Sequence, residues 1–164
     1  VTASLIRRTN PGVDPSLVSH FFGSKQKLFV AVIELPFDPA IILPAILEGE
    51  RSQAGERLVR FVLAALDQPE AGARFTAMIR SATSEPEAAR LLRELVTTRL
   101  MAPIAEGLEA DDAPLRAALA GSQIVGLVMA RRIVGITALV EADPETLVAA
   151  LAPTLQRYLT GALD

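Results

Sequence analysis

The sequence predicts an all-α protein. Three observations carry that prediction. No segment sustains the period-two alternation of β-branched residues that marks a strand. Apolar residues recur three and four apart over long windows instead. Helix starts and stops are also well marked: Asp14-Pro15 and Asp143-Pro144 each place an N-capping acid before a proline at the first helical position.

These marks place helices near 2–9, 15–21, 24–35, 40–48, 54–67, 70–83, 85–108, 113–137 and 144–162. The first carries Leu5, Ile6, Arg7 and Arg8 and is broken by Asn10-Pro11-Gly12. The second starts at Asp14-Pro15 and lasts under two turns, because Gly23-Ser24 stops it and caps the third. Two prolines in "ELPFDPA" (Glu34 to Ala40) make a joint between a domain of residues 1–38 and one of residues 39–164. Ser84-Glu85-Pro86-Glu87 reads as a capping box opening the helix near 85–108. Pro44, Pro103 and Pro153 fall inside three helices and are expected to bend or break each.

The segment 113–137 has Leu115, Leu119, Ile124, Val125, Leu127, Val128, Ile133, Val134 and Ile136 on more than one face. Ala118, Gly121, Ser122 and Gly126 keep another stripe thin. A helix apolar nearly all round must be buried nearly all round. The last helix carries a stripe of Leu147, Val148, Leu151, Leu155, Tyr158 and Leu159. Two such helices from each of two chains can form a four-helix interface about a two-fold axis, so a homodimer through 113–137 and 144–162 is expected. The alternative is that both are core of a single chain.

The 164 residues are 51% hydrophobic but only 4% aromatic, so the core is built mainly from Leu, Val, Ile and Ala. The absence of cysteine excludes disulfides, a thiolate nucleophile and cysteine metal sites, and suits a reducing cytoplasm. The longest apolar run, "AALAGSQIVGLVMA" (Ala117 to Ala130), reads as too short to cross a bilayer. A single His excludes the di-iron motif and the three-His zinc site, so neither metal nor cofactor is expected. There is no nucleophile elbow, Walker loop or dinucleotide fingerprint, and no catalytic constellation, so the chain does not read as an enzyme.

Charge is uneven. Residues 1–27 carry Arg7, Arg8, Lys25 and Lys27 against Asp14, a net +3, which leaves −6 elsewhere in a chain of net −3. A basic beginning on an acidic body suits one region that meets a polyanion. The same region, "GVDPSLVSHFFGSKQKLF" (Gly12 to Phe29), holds the only His, both Lys and three of the six Phe. In the helix from Pro15, Val18 and Phe22 point one way, while Ser16, Ser19 and His20 share the opposite face. That face is polar, uncharged and short enough to approach base edges in a major groove. Lys25, at the next helix N-terminus, is set against the helix dipole unless a phosphate offsets it. This is helix-turn-helix geometry with 15–21 as the reading helix.

The run Gly12-Val13-x-Pro15-x-x-Val18-x-x-Phe21-Phe22-Gly23-Ser24-Lys25-x-x-Leu28-Phe29 resembles the DNA-binding signature of tetracycline-repressor-type (TetR) regulators. "IVGLVMARRIVGI" and "DPETLVAALAPTLQRYLTG" resemble the C-terminal helices of actinobacterial-type members. The resemblance implies a ligand-responsive transcriptional regulator, a repressor released from its operator by a small hydrophobic molecule. It implies a palindromic double-stranded DNA operator as partner, an effector, a homodimer, and no membrane. Pro15, Ser16, Leu17, Ser19, His20 and Phe21 would face bases or phosphates, Lys25 would bind a phosphate, and Thr2 would cap its helix or touch the backbone. Phe21 stands where the family usually has Tyr or His, and lacks their polar tip. The family's first helix is absent from this sequence, and Asn10-Pro11 lengthens the turn before Gly12 by one residue. Both departures keep open a dimeric ligand-binding module without DNA-binding activity. In the body, Leu58, Phe61, Val62, Phe75, Met78, Ile79, Leu95 and Met101 offer an apolar lining for the effector. Arg74, Thr76, Arg99 and Gln123 offer polar contacts, and plain core packing accounts for all of these equally. Phe61, Phe75, Met78, Arg99 and Gln123 are the candidate ligand residues.

Overall fold

A computed structural model describes residues 38–163, and no strand occurs among them. The helices are α1 Pro39–Leu47, α2 Ala54–Asp67 after a 3-10 turn at Arg51–Gln53, α3 Pro69–Ala82 and α4 Pro86–Arg93. They continue with α5 Ala102–Gly107, α6 Ala113–Val128, α7 Thr137–Val140 and α8 Pro144–Thr160. Two π-helical stretches, Glu94–Met101 and Met129–Val134, connect α4 to α5 and extend α6.

Six of these helices have proline in their first two positions, where its missing N–H is needed by no carbonyl. Asp143 caps α8 as expected, its carboxylate accepting from the N–H groups of Glu145 and Thr146. Asp38 does the same for α1 through Ala40. The expected capping box at Ser84 does not form. Glu85 occupies the N-cap and makes no side-chain capping bond, while the Ser84 hydroxyl donates to the Ser81 carbonyl of the preceding helix. Pro44 and Pro153 do not break their helices, since α1 and α8 run through them. The helix expected to reach residue 137 ends at Gly135, whose φ of +72° reverses the chain before α7.

α8 packs along α2, and the two backbones come close at Gly55. A Cβ there would lie 2.5 Å from the Gln156 nitrogen and 2.6 Å from the Ala152 oxygen, both backbone atoms of α8. Gln156 reaches across the same gap, its Oε1 accepting from the Gly55 N–H at 2.8 Å. Gly55→Ala is therefore expected to push the two helices apart at a cost of about 1–3 kcal/mol. That corresponds to a melting temperature lower by roughly 2–4 °C per kcal/mol for a chain of this size. An unchanged melting curve at fixed protein concentration would show that the helices are not this close.

The core takes Leu58, Val59, Leu63 and Leu66 from α2, Phe75, Met78 and Ile79 from α3, and Leu155 and Leu159 from α8, among others. Around it, four arginines bind carbonyls left open where helices end. Arg57 Nε donates to Ile46 at the end of α1, and Arg132 Nη2 to Leu66 at the end of α2. Arg51 Nε donates to Leu108 just beyond α5. Arg116 Nη1 reaches Tyr158 and Gly161 at the end of α8. Each cation also sits at the negative end of a helix dipole.

α6 with its π extension, Ala113–Val134, is 22 residues long and holds an 18-residue window of mean hydropathy 1.3, enough by length and composition to cross a bilayer. The apolar run is thus longer than its sequence boundaries imply, because the helix takes in both Arg116 and Arg131. Only 28% of its most apolar window is buried within the chain. Ala117, Ala120, Ile124 and Val128 face inward, while Leu115, Ala118, Ser122 and Gly126 are exposed. Burial nearly all round is therefore not achieved by one chain alone.

Candidate functional site

A cavity lies inside the helical body. α1 contributes Ile42, α3 contributes Phe75 and α6 contributes Ile124. α2 contributes Leu58, Phe61, Val62 and Leu66, spaced so that one face of the helix turns inward. The π stretch contributes Val96, Leu100 and Met101. Every one of these side chains is apolar. A water molecule inside would find no hydrogen-bond partner among these side chains. Its volume is about 30 Å³, far below the roughly 300 Å³ or more of a small-molecule pocket.

Of the five candidate ligand residues, Phe61 and Phe75 line this cavity. Met78 is buried but not on the lining. Gln123 is half-buried on α6 and also not on the lining. Arg99 lies on the outer surface, where its guanidinium bonds the Glu94 carboxylate at 2.8 Å. That contact, with a lesser one from Arg90, holds the Glu94 carboxyl below its ordinary value. Arg74 is likewise on the outside, facing Glu70. Ile42, Leu66, Val96, Leu100 and Ile124 complete the lining, a place the sequence did not assign to them. Ile124 sits four residues beyond the buried Ala120, so the inward stripe of α6 was the signal that pointed to it. Thr2, Pro15, Ser16, Leu17, Ser19, His20, Phe21 and Lys25 lie outside the described residues.

A second, more open groove runs between α2 and α8. Arg60 dominates it by bridging Glu56 and Glu145. The bridge raises the Arg60 guanidinium pKa and lowers that of the Glu145 carboxyl, through hydrogen bonding first and charge second for Arg60. A cation already neutralised by two carboxylates offers a ligand little. Among the described residues no group of three or more His, Asp or Glu is placed to hold a metal ion.

Residues 52–159 match the family model described as the tetracyclin repressor-like, C-terminal domain. The chain belongs to the tetracycline-repressor family. A solved TetR-family regulator from Streptomyces coelicolor is similar to it in structure, with a TM-score of 0.55 and 29% sequence identity. The match covers 90% of this chain and 77% of the Streptomyces protein. Comparison with curated proteins found no match. As a TetR-family member the chain is a transcriptional regulator of the general ligand-responsive kind. The matched segment takes in α2 to α8 almost entire, and with them all the cavity lining except Ile42.

Proposed function

We propose that this TetR-family chain is a dimeric repressor, released from a palindromic operator by a small, uncharged, apolar molecule that enters the cavity. The observation that carries the reading is the lining. Among the described residues its ten lining side chains offer an effector only dispersion and hydrophobic contact, so a charged ligand would be desolvated with nothing in return. The placement of the cavity supports the rest. Ile42 stands on α1, the helix that follows the segment bearing the DNA-binding signature, and Ile124 on α6, the helix with the uncovered face. A ligand pressing on both is able to favour one spacing of two reading heads over another. Successive major grooves lie roughly 34–36 Å apart, and heads held at another spacing lose affinity. The dimer forms through the exposed stripes of α6 and α8.

The test is a gel shift of the full-length protein on its own promoter region. A sequence-specific, salt-sensitive shift is expected, and its absence would favour a ligand-binding module without DNA-binding activity. Lys25→Ala is expected to weaken binding about equally on every sequence, and His20→Ala to change sequence preference. Uniform weakening by both would remove His20 from the bases.

A further inference from the structure

One wall of the cavity, Glu94–Met101, is wound in π rather than α register over eight residues. π-helix occurs mostly as single-turn bulges, frequently at functional sites. Two pairs of side chains depend on this register. Inside, Val96 and Met101, five residues apart, both line the cavity. Outside, Glu94 and Arg99, also five apart, form an ion pair in which Glu94 Oε1 accepts from Arg99 Nη2 at 2.8 Å and Nε at 3.2 Å. In an α-helix residues five apart stand about 140° from each other around the axis, so neither pair survives there. Pro103 gives the register a cause. In α register its ring would press on the Arg99 carbonyl, to which it has no N–H to donate. The wall is also backed closely: a Cβ on Gly121 of α6 would lie 2.5 Å from Val96 Cγ1.

We propose that Glu94–Met101 is a movable wall, and that its rewinding from π to α register opens the cavity to an apolar ligand. This rests on the reading of the cavity as the effector site. Rewinding turns Val96 or Met101 away from the cavity and separates Arg99 from Glu94. Arg90 stays with Glu94 in both states, because the two are four apart; its Nη1 lies 3.3 Å from Glu94 Oε2. The closed state reduces apparent affinity by the fraction of chains that are open.

Two full-length double variants report the register. Glu94→His with Arg99→His places imidazoles at the π spacing. Glu94→His with Thr97→His places them three apart, about 60° from each other in α register but more than roughly 100° apart in the wider π turn, so only the rewound wall lets them share one metal ion. The ligand probe is the uncharged fluorophore N-phenyl-1-naphthylamine, titrated with and without Ni²⁺. Ni²⁺ is expected to weaken fluorophore binding by about fivefold or more in the first variant and to strengthen it similarly in the second. Ni²⁺ bound by both pairs with no change in fluorophore affinity would overturn the movable wall. The cavity itself is checked with Ile124→Trp, which fills it. Fluorophore binding unaffected by that change would overturn the effector reading alone. Ni²⁺ binding by the three-spaced pair would then still establish rewinding, and failure of that pair to bind would overturn it.

Discussion

Arg116→Ala is expected to destabilise the fold by about 2–5 kcal/mol, because it removes a buried side chain and leaves two carbonyls at the end of α8 without their donors. Arg116 is only 4% exposed, a charged residue within the core. Its guanidinium fork spans three places at once. Nε and Nη2 bond Asp111 Oδ1 at 3.0 and 2.7 Å, and Nε also bonds the Asp111 carbonyl. Nη1 bonds the carbonyls of Tyr158 at 3.0 Å and Gly161 at 2.9 Å. Truncation leaves the end of α8 without these donors, in a site where unsatisfied carbonyls cost about 1–3 kcal/mol each. Lysine would not repair it, because a single ammonium cannot span the fork. Asp111→Ala makes the contrast. That carboxylate is 88% exposed, so water replaces its contact and the expected loss is about 1 kcal/mol or less. Urea unfolding at fixed protein concentration measures both, and similar small losses from the two variants would remove Arg116 from the centre of the α6–α8 junction.

Gly126→Arg is expected to turn the protein into a folded monomer and to weaken operator binding by about 10²–10⁴-fold, the scale of lost bivalency. Gly126 stands on the uncovered face of α6, and a Cβ built there meets nothing within 4 Å in its own chain. The substitution therefore leaves the single chain unstrained. Ser122 and Ala118 lie four and eight residues before it, so the stripe is thin enough for a second α6 to come close. An arginine in that seam would be a cation without a partner between two helices. Light scattering decides the matter. A variant that remains dimeric would place the interface elsewhere.

Local chemistry explains which parts of this fold the residues announce. Asp143-Pro144 starts α8 because cap and proline act within one turn, whatever lies further away. The inward face of α2 follows from Leu58, Phe61 and Val62 by spacing alone. The π wall is different in kind. Val96 and Met101 do not share a face at 3.6 residues per turn, so a search at that period cannot pair them. The same spacing hides the fate of Arg99. Read as a polar contact for a ligand, it is drawn outward by Glu94, five residues earlier. Arg116 looks like the polar boundary of an apolar run, and its burial depends on carbonyls more than forty residues away. The capping box at Ser84 failed to a nearer competitor, the Ser81 carbonyl.

The arginine contacts at the helix ends have an uneven genetic footprint. Both lysines of the chain precede residue 28, so every basic side chain of the body is an arginine. Arg51, Arg57, Arg116 and Arg132 each grip a main-chain oxygen, which every amino acid carries. Ile46, Leu66, Leu108 and Tyr158 are thus free to drift as far as these bonds are concerned, whereas the arginines are not. Among relatives the four positions should stay fixed without any partner changing in step, so covariation between columns would pass over the clasps that close the body.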